Sequence, residues 1–316
     1  MKAPYITEAE VEALGITAAE IADAAEPLFR AREQGQGQVA MPPKTGLSLP
    51  GSDAFFHVMP AAAEGAVACA KWVSGALGNA AAGRPHITAL LILADATDGR
   101  VLALVEAAAL TGLRTAALSL LAARRLARAE ASRLAFVGCG LQARTHLAAL
   151  AGPFPVREVL AYGPRPAGVN RFADHARASG HQVQICARPE EALEGADIIV
   201  SSVPAHPDLV PFLDAGSLPP GAFATMVDLG RSWCVEGLPN FDRCLTDDMT
   251  QSTALSGANP TFAAIQLEAD LAALVTGRVP GRQSDDERIA FLFPGVALAD
   301  LAAGMLVLER LGIGAP

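Results

Sequence analysis

Nine residues, Leu134 to Gln142 (Leu-Ala-Phe-Val-Gly-Cys-Gly-Leu-Gln), constrain this chain more than any others. A short apolar run meets two glycines and then a helix-forming segment. Such a turn brings bare backbone and the N–H groups of a helix N-terminus to one point. The helix dipole favours negative charge there, and the pyrophosphate of a dinucleotide fits. Gly138 and Gly140 take the first two glycine positions of the dinucleotide fingerprint, and Ala143 takes the third small one. A G-x-G-x-x-A string alone arises often by chance; here the chain that follows agrees with it. Strand and helix patterns alternate, with strands over 133–137, 157–162, 182–186, 197–203 and 222–227 and helices over 141–150, 168–179 and 189–194. That alternation predicts a parallel sheet wound on both faces. A further strand over 241–246, helices over 249–256 and 260–276, a strand over 288–293 and a long helix over 296–311 complete this half.

The first third reads differently. Residues 7–33 follow a 3.6-residue period, with Thr7 and Thr17 as caps. From about 38 to 106 the texture is extended, with strands over 45–49, 55–59, 67–73, 87–94 and 100–105. Asp98-Gly99 supplies a hairpin turn between the last two. A long Ala/Leu-rich helix over 109–128 ends in Arg124-Arg125-Leu126-Ala127-Arg128, where cations complement the helix dipole. The fold class is therefore α/β: a Rossmann-type doubly wound parallel sheet over 131–287, plus a second α/β domain formed from both chain ends, 1–130 and 288–316. The crossings fall near 129–132 and 277–287, where Gly, Pro and charges cluster.

A formal net charge of −9 argues against a nucleic-acid or anionic-membrane surface. The hydrophobic fraction of 51% supports sizeable cores, yet no run approaches the roughly 20 apolar residues of a membrane span. Met1-Lys2-Ala3-Pro4-Tyr5 leads into a charged helical pattern and lacks a signal-peptide core. Cys69, Cys139, Cys186, Cys234 and Cys244 are scattered with no C-x-x-C, and the histidines have no metal-ligand spacing. The expectation is a cytoplasmic protein with reduced thiols, no metal, and a small-molecule partner.

Several motifs then stand in order: Met41-Pro42-Pro43-Lys44-Thr45, Met59-Pro60-Ala61, Lys71-Trp72-Val73 with Asn79, Leu110-Thr111-Gly112-Leu113-Arg114-Thr115-Ala116-Ala117, and Gly138-Cys139-Gly140-Leu141-Gln142-Ala143. Together they resemble the ornithine cyclodeaminase/mu-crystallin family over nearly the whole chain, down to Gly295–Asp300. Members are NAD(P)-dependent enzymes of amino acids and their imines: ornithine and lysine cyclodeaminases, an archaeal alanine dehydrogenase, and reductases of cyclic ketimines. The resemblance implies a Rossmann domain, a substrate and dimerisation domain built from both chain ends, and a homodimer. It places Lys44, Lys71 and Arg114 at the substrate. Arg114, Thr115, Gly138, Gly140, Leu141 and Gln142 fall at the cofactor, and Asp228 matches an acid/base aspartate.

The chemistry asks for such residues. A substrate carboxylate needs cationic donors, and a planar Arg can grip it with two parallel bonds. Lys71 lies in the apolar run Ala68-Cys69-Ala70-Lys71-Trp72-Val73, where an unpaired ammonium is costly and partial desolvation lowers its pKa and eases proton transfer, so Lys71 or Asp228 is expected to manage the imine proton. Arg114, read in the first turn of its helix, is badly placed for the dipole and so calls for an anion. Lys44 stands where many members carry Arg. Asp228 follows a sheet strand, and open α/β sheets place ligands at the carboxyl ends of strands. Arg231 and Trp233 lie beside it, Trp233 as pocket wall or core. His86 falls where several members carry Thr near the cofactor, and a titratable ring there can protonate an imine. The second strand ends Tyr162-Gly163-Pro164-Arg165 without the acidic residue that binds a ribose 2′-hydroxyl. Arg165 suits a 2′-phosphate, so NADP(H) is favoured over NAD(H).

The leading expectation is an NAD(P)H-dependent reductase of a cyclic ketimine of the Δ1-pyrroline-2-carboxylate or Δ1-piperideine-2-carboxylate type, yielding an L-amino acid. The alternatives are an ornithine cyclodeaminase with bound NAD and a non-catalytic NADPH-binding protein.

Overall fold

The computed structural model describes residues 3–35, 38–79, 82–85, 87–206 and 208–314. The chain divides into two compact units, Met1–Ala117 with Gly295–Pro316, and Leu118–Pro294.

In the first unit, β1 (Tyr5–Ile6) and helices α1 (Glu8–Ala13) and α2 (Ala18–Glu33) precede β2 (Val39–Ala40), β3 (Thr45–Ser48), β4 (Ala54–Ala63), β5 (Val67–Ala76), β6 (Ile87–Asp95) and β7 (Val101–Glu106). The helix expected over 7–33 is two helices. Gly15 takes a left-handed φ of +63° between them, and Thr17 begins the chain anew. Thr7 and Thr17 each close a capping box, with Glu10 and Glu20 answering. The strands form one sheet in the order β1-β7-β6-β5-β4-β2, with β3 beside β4. β4 to β7 are antiparallel, as the Asp98-Gly99 turn requires. On one face Met59, Cys69, Lys71, Val73, Leu91 and Leu93 are buried, and the C-terminal helix Ala297–Arg310 packs on β4, β5 and β6 and against α2. The opposite face carries Leu47, Trp72 and Ile92, all exposed.

Helix α3 (Ala108–Leu126) holds the boundary between the units. The second unit contains β8 (Arg133–Val137), α4 (Leu141–Ala151), β9 (Glu158–Tyr162), α5 (Pro166–Ala178), β10 (Gln182–Ile185), α6 (Pro189–Leu193), β11 (Ile198–Ser201) and β12 (Phe223–Met226). It continues with β13 (Arg243–Thr246), α7 (Met249–Leu255), α8 (Pro260–Ala264), β14 (Ala269–Asp270), α9 (Leu271–Thr276) and β15 (Ile289–Leu292). The order is β10-β9-β8-β11-β12-β15-β13-β14, with every pair parallel. The chain runs outward from β8 in one direction and then returns to its other side with β11. That reversal is the switch point where open α/β sheets bind ligands.

Two boundaries differ from the sequence reading. The helix expected over 260–276 breaks after Ala264, because Ala269 pairs with Leu245 at the sheet edge and Asp270 recaps the next helix through Ala273 N–H. The strand expected over 288–293 lies inside the parallel sheet, between β12 and β13. Its residues Ile289-Ala290-Phe291-Leu292 are all fully buried, which suits a strand covered on both faces. The second compact unit spans Leu118–Pro294, beside the 131–287 expected for the dinucleotide domain.

Candidate functional site

The glycine turn leaves β8 and enters α4 at the switch point. Gly138 takes φ +94°, and a β-carbon there would stand 2.7 Å from the Ser202 carbonyl oxygen beyond β11. Ser202 Oγ donates in return to the Gly138 carbonyl at 2.9 Å. Gly140 is the N-cap of α4 and provides no side-chain cap; a β-carbon on it would meet nothing within 4 Å. Leu141 at the start of α4 is exposed, and Ala143 is fully buried. Gln142 Oε1 is buried with no hydrogen-bond partner among the described residues. Bare glycine backbone, an uncapped helix N-terminus and an orphaned amide oxygen fit a dinucleotide. Arg165 caps α5 by position with no side-chain bond to it, and is exposed.

Beneath this turn lies a polar chain. His146 Nδ1 faces the Gln142 carbonyl at 2.8 Å, so Nδ1 carries the hydrogen and Nε2 accepts from Ser119 Oγ at 2.9 Å. Ser119 in turn meets Thr225 Oγ1 at 2.8 Å. Burial lowers the His146 pKa to about 4 and keeps the ring neutral.

Asp228 stands two residues past β12 at the carboxyl edge, 6% exposed. Its Oδ1 accepts from Ser201 Oγ at 3.0 Å and from Gly230 N–H at 3.2 Å, and its Oδ2 from Ser232 Oγ at 2.6 Å. Burial pushes the carboxyl up, while the Ser232, Ser201 and backbone donors pull it down. Trp233 is fully buried, which makes it core rather than an exposed pocket wall.

The first unit gathers the cations. Lys71, on the covered face of β5 and 1% exposed, donates to Asp300 Oδ1 at 2.7 Å. Arg114 Nε lies 3.2 Å from the same oxygen, in ion-pair range but off hydrogen-bond geometry. Arg114 sits in the second turn of α3, not the first, because the helix begins at Ala108. Gly295 packs against it: with φ +88°, a β-carbon there would come 2.7 Å from Arg114 Nη1. Asp300 Oδ2 is buried without a partner among the described residues. Burial and the Arg114 and Lys44 cations lower Lys71 to about 8, against the upward pull of Asp300. Half-buried His57 is lowered to about 4 by burial and by Lys44 and Lys71. Lys44 thus shares the field of the cluster. Lys71 and Arg114 share one carboxylate among the described residues, so the pair can take a further anion. Thr115 donates to the Thr111 carbonyl at 2.7 Å, which leaves its hydroxyl able only to accept from a ligand. His86 lies outside the described residues.

Lys71 and Arg114, grouped with Lys44 in the sequence reading, meet at one oxygen of Asp300; Asp300, Ser201 and Ser232 were not singled out there. The signal for Asp300 was an acid near the start of the apolar helix Ala297-Leu298-Ala299-Asp300-Leu301.

The ornithine cyclodeaminase/mu-crystallin family profile matches residues 4–314. Alanine dehydrogenase of Archaeoglobus fulgidus is 30% identical, across 98% of this chain and 95% of that protein. A Δ1-pyrroline-2-carboxylate reductase of Bacillus cereus is 27% identical, across 85% of each. The solved structure of an archaeal alanine dehydrogenase dimer with bound NAD matches with a TM-score of 0.86 at 30% identity, covering 98% of this chain and 96% of that one. The glycine turn at the switch point and the match along the chain agree: this chain belongs to the ornithine cyclodeaminase/mu-crystallin family.

Proposed function

We propose that this protein is an NADPH-dependent reductase of cyclic α-imino acids, converting a Δ1-pyrroline-2-carboxylate or Δ1-piperideine-2-carboxylate to the corresponding L-amino acid. The observation that carries this reading is the buried Lys71–Asp300–Arg114 cluster, where two cations share one oxygen of a single carboxylate. An α-imino acid answers that imbalance with its carboxylate. Arg114 and Lys44 hold the carboxylate. Reducing the C=N bond needs a hydride at carbon and a proton at nitrogen. When bound, the reduced nicotinamide supplies the hydride. Lys71 supplies the proton: with a pKa of about 8 it is mostly charged at neutral pH, yet it releases a proton far more readily than an exposed lysine. Asp228, whose oxygens already accept from Ser201, Gly230 and Ser232, is held in place at the sheet edge and is not the proton donor in this reading. Gly138, Gly140, Leu141 and Gln142 hold the pyrophosphate segment. The test is NADPH oxidation by each ketimine with chiral identification of the product.

Ornithine cyclodeamination is the second reading, favoured by the buried Asp228 carboxyl, whose raised pKa suits a base. Ammonia release from L-ornithine without net NADPH consumption would replace the first reading with the second.

Arg165 carries the cofactor preference. No carboxylate lies between Tyr162 and Pro166 to compete for a 2′-phosphate. Arg165→Glu should reduce the preference for NADPH over NADH by roughly 10- to 100-fold, the worth of one charge-assisted pair. An unchanged ratio of the two kcat/KM values would remove Arg165 from the cofactor site.

A homodimer through the open face of the seven-stranded sheet completes the proposal. Trp72 packs on Phe56 with ring centroids 5.7 Å apart, and with exposed Leu47 and Ile92 it forms an apolar face that a second copy would cover. Light scattering should give twice the chain mass, and Trp72→Glu should give the single mass. A wild-type monomer at micromolar concentration contradicts this.

A further inference from the structure

We propose that Trp233 and Ser201 form a positioning relay that fixes the direction of the Asp228 carboxylate; the relay rests on reading Asp228 as a working group of the site. All three lie in the second unit. Trp233 Nε1–H donates to Ser201 Oγ at 3.0 Å. An indole nitrogen gives a hydrogen and accepts none, so Ser201 Oγ is the acceptor in that bond. The Ser201 hydroxyl hydrogen goes to Asp228 Oδ1 at 3.0 Å. The order is thereby set: indole to hydroxyl to carboxylate. A hydroxyl that accepts one bond donates the next more strongly. Ser232 anchors the other carboxylate oxygen at 2.6 Å, so the plane of the carboxylate is held from both sides.

The backbone around it is held as firmly. Leu229 takes φ +59°, a left-handed conformation that is unfavourable for a non-glycine residue and persists only where its surroundings enforce it. Asn259 Nδ2 donates to the Leu229 carbonyl at 3.1 Å, and Thr261 Oγ1 to the Gly230 carbonyl at 3.0 Å. Trp233 also packs on Phe241, ring centroids 5.5 Å apart. Packing alone would accept phenylalanine at this position; the indole N–H is what phenylalanine lacks.

The chain has two tryptophans, so indole proton NMR of 15N-labelled protein reads the relay directly, with Trp72 as internal control. Asp228→Asn should move the Trp233 Nε1–H signal upfield, although no hydrogen bond joins these two side chains, and Ser201→Ala should move it further. The Trp72 signal should stay in place. With NADPH and Δ1-piperideine-2-carboxylate, Ser201→Ala and Trp233→Phe should each lower kcat about 10-fold with KM changed less than about twofold. The double variant should also lose about 10-fold rather than about 100-fold, because both changes cut the same chain. An indole signal unmoved by Asp228→Asn overturns the relay whatever the turnover. So do additive losses in kcat, or wild-type kcat in Ser201→Ala beside a dead Asp228→Asn. If the wild type reduces no ketimine, the proposed function fails, and the NMR arm still decides the relay.

Discussion

Lys71→Met should lower kcat for ketimine reduction by about 10²- to 10⁴-fold, the range of a lost general acid, while leaving NADPH affinity unchanged. Methionine keeps the length and apolar body of the side chain on the covered face of β5 but carries no proton. Gly138, Gly140, Leu141, Gln142 and Arg165, proposed to hold the nucleotide, belong to the other unit, and Lys71→Met leaves Arg114 and Thr115 in place, so fluorescence titration with NADPH should give the wild-type Kd. The pH profile adds a second check. Proton donation requires the ammonium, and Lys71 is lowered to about 8 by its burial and by the Arg114 and Lys44 cations. Wild-type kcat should therefore hold at neutral pH and fall about tenfold per pH unit above about 8, and that basic limb should be missing from the residual activity of Lys71→Met. Wild-type turnover in the variant removes Lys71 from the reaction.

Asp300→Ala should strongly destabilise the first unit. It takes the carboxylate from between two cations that are 1% and 8% exposed. Removing one partner of a buried ionic group costs about 3–5 kcal/mol, since the remaining charges stay desolvated. Thermal unfolding should shift down by roughly 10 °C or more. The sign of the pH effect follows from Lys71. Its folded pKa of about 8 lies below its ordinary 10.5, so the unfolded chain binds the extra proton. The penalty is full below pH 8 and is relieved as pH rises from 8 towards 10.5. Asp300 pulls Lys71 upward, so without it that window extends to lower pH. Unfolding of Asp300→Ala should thus recover part of its loss between pH 7 and 9. Lys71→Met combined with Asp300→Ala should be more stable than Asp300→Ala alone. A variant that melts with the wild type would show that Asp300 does not balance the cluster.

Much of this was legible in the residues, and the exceptions have a physical pattern. Gly138 could be read because the turn it makes admits no β-carbon: Ser202 blocks it at 2.7 Å. Thr7 and Thr17 could be read because a capping box is local, three residues wide. Lys71 announced itself as a charge in an apolar strand that needed a partner. The identity of that partner was not local. Asp300 is 229 residues away, and an acid near a helix start reads equally well as a complement to the helix dipole. The position of β15 was hidden for the same reason. Its run Ile289–Leu292 says that a strand is buried on both faces, but a crossover decides which neighbours it joins. The break between α8 and α9 escaped because Ala269 trades helix for a place at the sheet edge, a tertiary gain that no 3.6-residue period contains. Around Asp228 the two serines and Trp233 looked like ordinary loop and core residues, since a hydrogen bond's direction emerges only when donor and acceptor are set face to face.

The claim on which the rest depends is that the cationic cluster of Lys44, Lys71 and Arg114 exists to seat a substrate carboxylate. The direct measurement compares NADPH oxidation with Δ1-piperideine-2-carboxylate and with Δ1-piperideine, the same ring without the acid. Turnover of the first is expected, with a kcat/KM for the second lower by about 10³-fold or more, the value of a buried charge pair left unmade. Equal rates for the two rings, or no oxidation of NADPH with any α-imino acid, would contradict it.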